Sequence, residues 1–385
     1  MRIGFDVSQT GRLKGGCGYF ADSLIRNLSE VDRTNEYLLY PTFGDFYFDP
    51  EWRAATVKVD GHRIRRGLAH GTPAAARAFW SRPPAEFEAQ LGHPDVVHAN
   101  NFFCPTMLRK AKLVYTLYDL SFLEQPEWTT EANRSGCFDG VFNASLYADR
   151  IIAISAYSRR HFLEAFPHYP GERVVVVPPA SRFTRRAAIA PPEGLAPLEP
   201  DRFWLSVGTL EPRKNQRRLL RAYAALRARW GRTFPLVLAG GQGWMMHDFE
   251  ELVAELGLGS DLILTGYVSD DTLQWLYENC FAFVYPSLFE GFGLPVLEAM
   301  SCGAAVITST TTSLPDIVGT AGVLVDPLQE EGITDAMRRL SGGEIQRETL
   351  RRRGLEQATR FSWPRAAEQV LDVYRQVMDE CKEGA

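Results

Sequence analysis

The chain is short of every feature that would remove it from the class of soluble intracellular proteins. Its six cysteines, at 17, 104, 137, 280, 302 and 381, lie far apart, with no CxxC and no Cys/His pair at zinc spacing. That pattern excludes a disulfide framework and a structural zinc site, and it suits a reducing compartment. Cys17, Cys280 and Cys302 sit in apolar or glycine-rich stretches, as small buried hydrophobes do. No apolar run approaches a membrane span. The opening MRIGFDVSQT reads as a strand rather than as a charged segment followed by an apolar signal core. The expected location is therefore the cytoplasm, or the inner face of a membrane as a peripheral protein. The net charge of −5 gives no signal for a nucleic-acid partner. GxxxxGK[ST], GxSxG and HExxH are all missing, and without a DxD no paired-carboxylate site for Mg²⁺ or Mn²⁺ is evident.

What charge there is lies unevenly. Residues 1–190 hold 23 Lys and Arg against 20 Asp and Glu, and the remainder holds 19 against 27. A mildly basic N-terminal half suits an acidic or membrane-bound partner, and simple scatter explains it equally well.

A length of 385 residues is long for one core and argues two domains. Short apolar runs alternate with helical patterns throughout. RIGFDV, DVVHA, KLVYTLYDL, DRIIAIS and RVVVVPP read as buried strands, and in YFADSLIRNLSEV the residues Phe20, Leu24 and Leu28 recur at helical spacing. FTRRAAIAPPEGLAPLEPD breaks the pattern, and the alternation then resumes with RFWLSVGTL, FPLVLAGG, DLILTGYV, CFAFVYPS, AAVITS and GVLVDP. The boundaries read as a first domain over 1–185, a linker over 186–201, a second domain over 202–360 and a terminal helix over 361–385. That helix carries Trp363, Ala367, Val370 and Tyr374 on one stripe. The fold class is α/β, two Rossmann-like parallel-sheet domains facing a common cleft. Residues 61–90 mix arginines with Phe79 and Trp80, which suits an acceptor or membrane-surface segment or, more commonly, a solvated helix or loop.

Ligands in such sheets bind beyond the carboxyl ends of the strands, so the residues after each strand are the candidates. In FEGFGLPVLEAMSCG, glycines turn the backbone and Pro295 suits the first position of a helix. The N–H groups of Phe292, Gly293 and Leu294 are then free to meet phosphate. Glu298 is placed to accept from a diol such as ribose, and Glu290 to accept from sugar hydroxyls or to face positive charge at a reacting carbon. An ordinary helix start with two surface glutamates fits the same letters. In VGTLEPRKNQ, Arg213 and Lys214 stand between strand and helix, where they would clamp a diphosphate. Gly16 begins a GxGxxA, but too far from the preceding strand for a dinucleotide fingerprint. His98, Asn100, Asn101 and Asp119 each follow a strand. His98 is more often a satisfied core histidine than a ligand, and Asp119 either caps the next turn or binds an acceptor hydroxyl.

Taken together, SVGTLEPRKN, LTGYVSDDTLQWLY, YPSLFEGFGLPVLEAMSCGAAVITS and SLPDIVGTAGVLVDP resemble the nucleotide-sugar half of the retaining GT-B glycosyltransferases of family 4. YDLSFLEQPEW, IIAISAYSRR and FSWPRAAEQVLDVY extend the resemblance over nearly the whole chain, and GTLEPRKN looks most like the mannosyltransferase-type members that build O-antigen and capsule-like polysaccharides. The resemblance implies that Glu298 binds the donor ribose and that Glu290 contacts the sugar near its anomeric carbon. It implies that the backbone of Phe292, Gly293 and Leu294 meets sugar and phosphates, with Gly208 among the donor contacts. Lys214 and Arg213 look like the pyrophosphate clamp, Gly16 lies over the phosphates, and the backbone at Tyr267 and Val268 meets the base. Asp119 joins the catalytic group, while His98, Asn100, Asn101 and Tyr118 stand on the acceptor side. The terminal helix is expected to cross back to the first domain. No cofactor or metal is implied. The co-substrate is a nucleotide-diphosphate sugar, GDP-mannose by family shade, and the acceptor a glycan or lipid-linked glycan. Tyr118 departs from the pattern, because many relatives carry histidine before the aspartate. A nucleotide-sugar epimerase or hydrolase on the same architecture, or a non-catalytic binder of nucleotide sugars, would use many of the same residues.

Overall fold

The computed structural model describes residues 1–11, 14–44, 63–185, 192, 195, 198–231, 233–243 and 248–383. Most of the expected 186–201 linker, and residues 61 and 62 of the arginine-rich stretch, lie outside the described residues. The chain divides into two compact units. The first comprises Met1–Glu124, Glu131–Pro179 and Ser362–Ala385, and the second Gln125–Thr130 and Ala180–Phe361.

The first unit is built on strands β1 (Arg2–Asp6), β2 (Glu36–Tyr40), β3 (Ile64–Arg66), β4 (Val96–Ala99), β5 (Lys112–Leu117), β6 (Arg150–Ala153) and β7 (Val174–Val176). Its helices are α1 (Gly16–Val31), α2 (Pro73–Ser81), α3 (Phe87–Gln90), α4 (Ser121–Glu124), α5 (Glu131–Tyr147) and α6 (Ala156–Ala165). The strands pair in parallel in the order β3-β2-β1-β4-β5-β6-β7. VVHA and RIIA are buried along their whole length, as strands covered on both faces must be. The α1 stripe Phe20, Leu24 and Leu28 is buried, as its spacing requires.

Residues 63–90 form β3, α2 and α3, and α2 is a largely solvated surface helix that buries Ala76 and Trp80. Phe79 and Trp80 belong to an aromatic cluster with Phe43, Phe87 and Phe103, and burial of those rings is what holds α2 down.

The second unit runs β8 (Trp204–Val207), α7 (Gln216–Trp230), β9 (Leu236–Ala239), α8 (Phe249–Glu255), β10 (Leu262–Gly266), α9 (Asp270–Asn279), β11 (Ala282–Tyr285), α10 (Leu294–Ser301), β12 (Val306–Ser309), α11 (Leu314–Val318), β13 (Gly322–Val325), α12 (Glu330–Ser341) and α13 (Arg347–Ala358). Its parallel sheet has the order β10-β9-β8-β11-β12-β13. The last helix, α14 (Trp363–Glu383), belongs to the first unit, where Trp363 meets Phe20 edge-on at 5.6 Å between ring centroids. Among the described residues no helix is long and apolar enough to cross a membrane.

In each sheet the chain first winds one way and then returns past its starting strand to wind the other way. The reversals fall between β1 and β4 and between β8 and β11. Loops diverge at such a point, which opens a crevice at the carboxyl ends of the two central strands.

Candidate functional site

At the reversal in the second unit, β8 leads into Gly208–Asn215 and β11 into Pro286–Gly293. Pro212–Lys214 form a single 3-10 turn ended by Asn215, which takes a left-handed conformation at φ 62°. The Asn215 amide donates to the carbonyls of Pro286 and Pro327 at 2.9 and 2.7 Å, stapling the β8 loop to the ends of β11 and β13. Leu288 N–H donates to the Arg213 carbonyl at 2.8 Å. The two loops are thus one hydrogen-bonded body, and the cations of one face the carboxylate of the other.

Glu290 is the centre of that body. Its Oε1 accepts from Lys214 Nζ at 2.7 Å, Tyr285 Oη at 2.7 Å and Ser287 Oγ at 2.6 Å, and its Oε2 lies 3.3 Å from Arg213. Burial alone would push this carboxyl up. The charges of Lys214 and Arg213 outweigh it and hold the acid down at about 2. Lys214 also donates to Tyr285 Oη at 2.7 Å, so one of its three donors is left over. Arg213 spans Glu290, the Phe289 carbonyl at 2.8 Å and buried Glu211 at 2.7 Å. Its plane is therefore fixed before any ligand arrives.

The turn into α10 is pinned from below. Ser313 Oγ donates to the carbonyls of Glu290 and Phe292 at 2.9 and 2.7 Å, and Thr312 Oγ1 accepts the Glu290 N–H at 3.1 Å. Gly293 takes φ 104°, and a Cβ there would lie 2.6 Å from Leu314, so only glycine fits. Helix α10 starts at Leu294, which puts Pro295 in the second position, not the first. Among the described residues the N–H groups of Phe292, Gly293 and Leu294 meet no acceptor. Open amides at a helix start, beside two fixed cations, make an anion-binding surface.

Glu298 lies one turn into α10 and is buried. Arg182 Nε donates to its Oε1 at 2.8 Å and Tyr277 Oη to its Oε2 at 3.3 Å. Burial raises this acid, with Arg182 opposing the shift. Gly208, at φ 148°, follows β8 beside the Lys214 stem, and Tyr267 and Val268 follow β10, with Tyr267 half exposed.

In the first unit the side chains placed on the acceptor side are bonded within the unit. His98 is fully buried, with Nδ1 2.6 Å from Tyr374 Oη and Nε2 2.8 Å from Thr116 Oγ1, and burial lowers it to about 3. It is a neutral core histidine. The Asn100 side chain donates to the Asp6 carbonyl and accepts from Thr116, and Asn101 is bonded to Ser8, the Phe43 carbonyl and the Phe103 N–H. Tyr118 is buried with its hydroxyl on the Asn100 and Cys17 carbonyls. Buried and bonded in this way, these side chains serve the packing of the first unit. Asp119 is half-buried and caps the α4 turn through the Ser121 N–H at 2.9 Å. Gly16 is the first residue of α1 and exposed, and a Cβ there would meet nothing within 4 Å.

Reading the sequence missed Arg182, Glu211, Asn215, Tyr277, Tyr285 and Ser287. Only Asn215 carried a local signal, an asparagine directly before a helix and after a turn. Among the described residues no three His, Cys, Asp or Glu side chains converge as a metal site would require.

Two parallel Rossmann-like sheets, one with two cations paired to a buried glutamate at its reversal, define the class: a GT-B protein. Solved structures agree on the fold. Sucrose-phosphate synthase from Thermosynechococcus elongatus superposes with a TM-score of 0.77 over 99% of this chain and 100% of that one, at 20% identity. The Anabaena HepE protein in complex with UDP-glucose gives 0.73 over 98% and 100%, at 18% identity. The family models for glycosyltransferase family 4 and for glycosyl transferases group 1 match residues 14–180 and 192–357. The O-antigen chain mannosyltransferase B of Escherichia coli is 36% identical over 381 residues, covering 94% of this chain and 96% of that protein. The chain belongs to this glycosyltransferase family.

Proposed function

We propose that the protein transfers mannose from GDP-mannose, with retention of configuration and without a metal ion, to a glycan or lipid-linked glycan in cell-surface polysaccharide synthesis. The observation that carries the reading is the Lys214–Glu290–Arg213 cluster at the strand reversal, next to open amides. As the bond from the sugar's anomeric carbon to the diphosphate breaks, and the acceptor oxygen bonds to that carbon while its proton passes to the departing diphosphate, negative charge grows on the leaving phosphate. The remaining Lys214 donor and the Arg213 guanidinium meet that charge in a site from which water is largely displaced. Glu290 orients both cations, and its less occupied Oε2 accepts from a sugar hydroxyl. Glu298 takes the ribose, and Tyr267 and Val268 the base by their backbone. Gly208 lies by the phosphates. Gly16 is the donor-side candidate of the first unit. Asp119, whose second oxygen is not used in capping, takes an acceptor hydroxyl. The choice of mannose and of an O-antigen-type acceptor rests on likeness to the Escherichia coli enzyme. A peripheral membrane position follows from a lipid-linked acceptor.

The test is transfer to a mannosylated lipid primer from GDP-mannose, UDP-glucose and UDP-GlcNAc in EDTA, with the anomeric configuration of the product read by NMR, beside thermal shifts with GDP, UDP and ADP. GDP alone should raise the midpoint, and GDP-mannose alone should give an α-linked product. Stabilisation by UDP instead, or activity that needs added Mg²⁺, would overturn the donor or the metal-free assignment.

A further inference from the structure

Glu298 is held by an arginine from an unexpected place, the segment between β7 and β8. Arg182 has two carboxylates on one guanidinium: its Nε donates to Glu298 Oε1 at 2.8 Å and its Nη1 to Asp270 Oδ1 at 3.0 Å. Asp270 is the first residue of α9, directly after the β10 turn that carries Tyr267 and Val268. The guanidinium also lies over the Phe183 ring, 4.7 Å from its centroid. We infer that Arg182 is a positioning residue for the donor nucleoside, setting Glu298 for the ribose diol and tying it to the turn that receives the base. The inference rests on the reading of Glu298 as the ribose ligand.

Three physical points support it. An ionised carboxylate has about four acceptor positions, so one bond each from Arg182 and Tyr277 leaves room for two vicinal hydroxyls. A protonated carboxyl would offer a donor in one of those places. Burial drives Glu298 toward that form, and the Arg182 charge opposes it. A guanidinium, unlike an ammonium, presents Nε and Nη1 in a rigid fork, so one plane serves both carboxylates. The segment itself does not depend on the charge. Phe183 is buried against Tyr277, Gln274 donates to the Thr184 carbonyl at 2.7 Å, and Phe183 N–H donates to Ser181 Oγ at 2.9 Å.

The experiment compares Arg182→Gln, Arg182→Lys and Glu298→Gln for donor KM, kcat and the pH profile of donor kcat/KM, with thermal midpoints as a check on folding. Arg182→Gln should raise donor KM about tenfold, in line with loss of a hydrogen bond to a charged group. Its kcat should stay within about threefold of the parent, as expected when the lost contact serves binding more than the chemical step. The acidic limb of kcat/KM should move to higher pH. Arg182→Lys should return that limb toward its original position and recover KM only in part, because an ammonium does not reproduce the fork. A merely structural ion pair would lower the midpoint and leave the acidic limb in place, and that result would overturn the inference, as would an unchanged KM in Arg182→Gln. If Glu298→Gln raises KM while Arg182→Gln does not, only the role of Arg182 falls. If Glu298→Gln also leaves KM unchanged, the ribose reading falls and takes the inference with it. Should Arg182→Gln fail to fold, Arg182→Lys decides alone, by partial or full retention of donor KM.

Discussion

The two strand reversals share a topology and differ in chemistry. Between β1 and β4 the groups at the strand ends, Asp6, Ser8, His98, Asn100 and Asn101, are buried and bonded to one another and to Thr116 and Tyr374. His98 is held neutral there, and burial lifts Asp6 to about 7. Between β8 and β11 the corresponding groups are Lys214, Arg213 and Glu290, which keep their charges by pairing. A buried network of hydrogen bonds fixes where two loops leave a sheet. A paired but charged one does that and keeps a field ready for a ligand. The same topological position therefore carries architecture in one unit and, on the proposed reading, chemistry in the other.

The sharpest way to break that contrast is to remove a cation. Lys214→Ala should cut turnover more than 100-fold, about 3 kcal/mol of transition-state stabilisation, while donor binding measured by thermal shift with GDP falls far less. A Lys214→Ala enzyme with unchanged rate would remove the clamp assignment. The matching change in the first unit is His98→Leu. It strands the Tyr374 hydroxyl and takes one of two partners from Thr116, which should cost about 2 kcal/mol of stability in denaturant unfolding and leave kcat where it was. A large loss of kcat with normal stability would show that the buried network also serves catalysis. Smaller is the effect of Glu298→Ala, expected to weaken GDP binding by about tenfold in titration calorimetry. Unchanged binding would separate Glu298 from the donor.

How far the contrast could be read in the letters varied with sequence distance. The strands were legible because VVHA, RIIA and LVLA are apolar runs of strand length, buried throughout as such runs are in a covered parallel sheet. Glu290, Lys214 and Arg213 were legible as candidates because they follow strands, and position after a strand is a local property. Their partners were not. Arg182 and Glu298 are 116 positions apart, and His98 and Tyr374 are 276 apart. Nothing local separates a core tyrosine from one whose hydroxyl sits on a carboxylate, as Tyr285 does. His98 was ambiguous for the same reason, since a histidine at the end of a strand becomes a ligand or a core residue according to what the rest of the chain places around it. The Phe79–Trp80 pair was half legible, since the arginines nearby mark the solvated side of α2 while the rings fill the space beside Phe43 and Phe103.

The least conspicuous consequence concerns pH, and it too separates the reversals. His98 has about 3 in the fold against 6.5 unfolded, so between those values the unfolded chain binds the extra proton and stability falls on acidification. Asp6 runs the other way, with about 7 in the fold against 3.8 unfolded, so in its window the folded chain holds the extra proton and stability falls as pH rises. From about pH 4 to 6.5 the two slopes oppose and largely cancel, and the first reversal contributes little pH dependence although it contains two strongly shifted groups. Asp6→Asn should unmask the histidine, giving a stability that drops with falling pH by up to about 1.4 kcal/mol per unit. His98→Leu should unmask the opposite slope, and the double variant should be flat again. Glu290, at about 2 against 4.5, adds its acid-side loss mainly below pH 4.5, under the range in which the variants are compared. Denaturant midpoints of the four proteins between pH 4.5 and 6.5 decide the matter. Parallel profiles would mean that Asp6 and His98 do not differ in protonation between folded and unfolded chain.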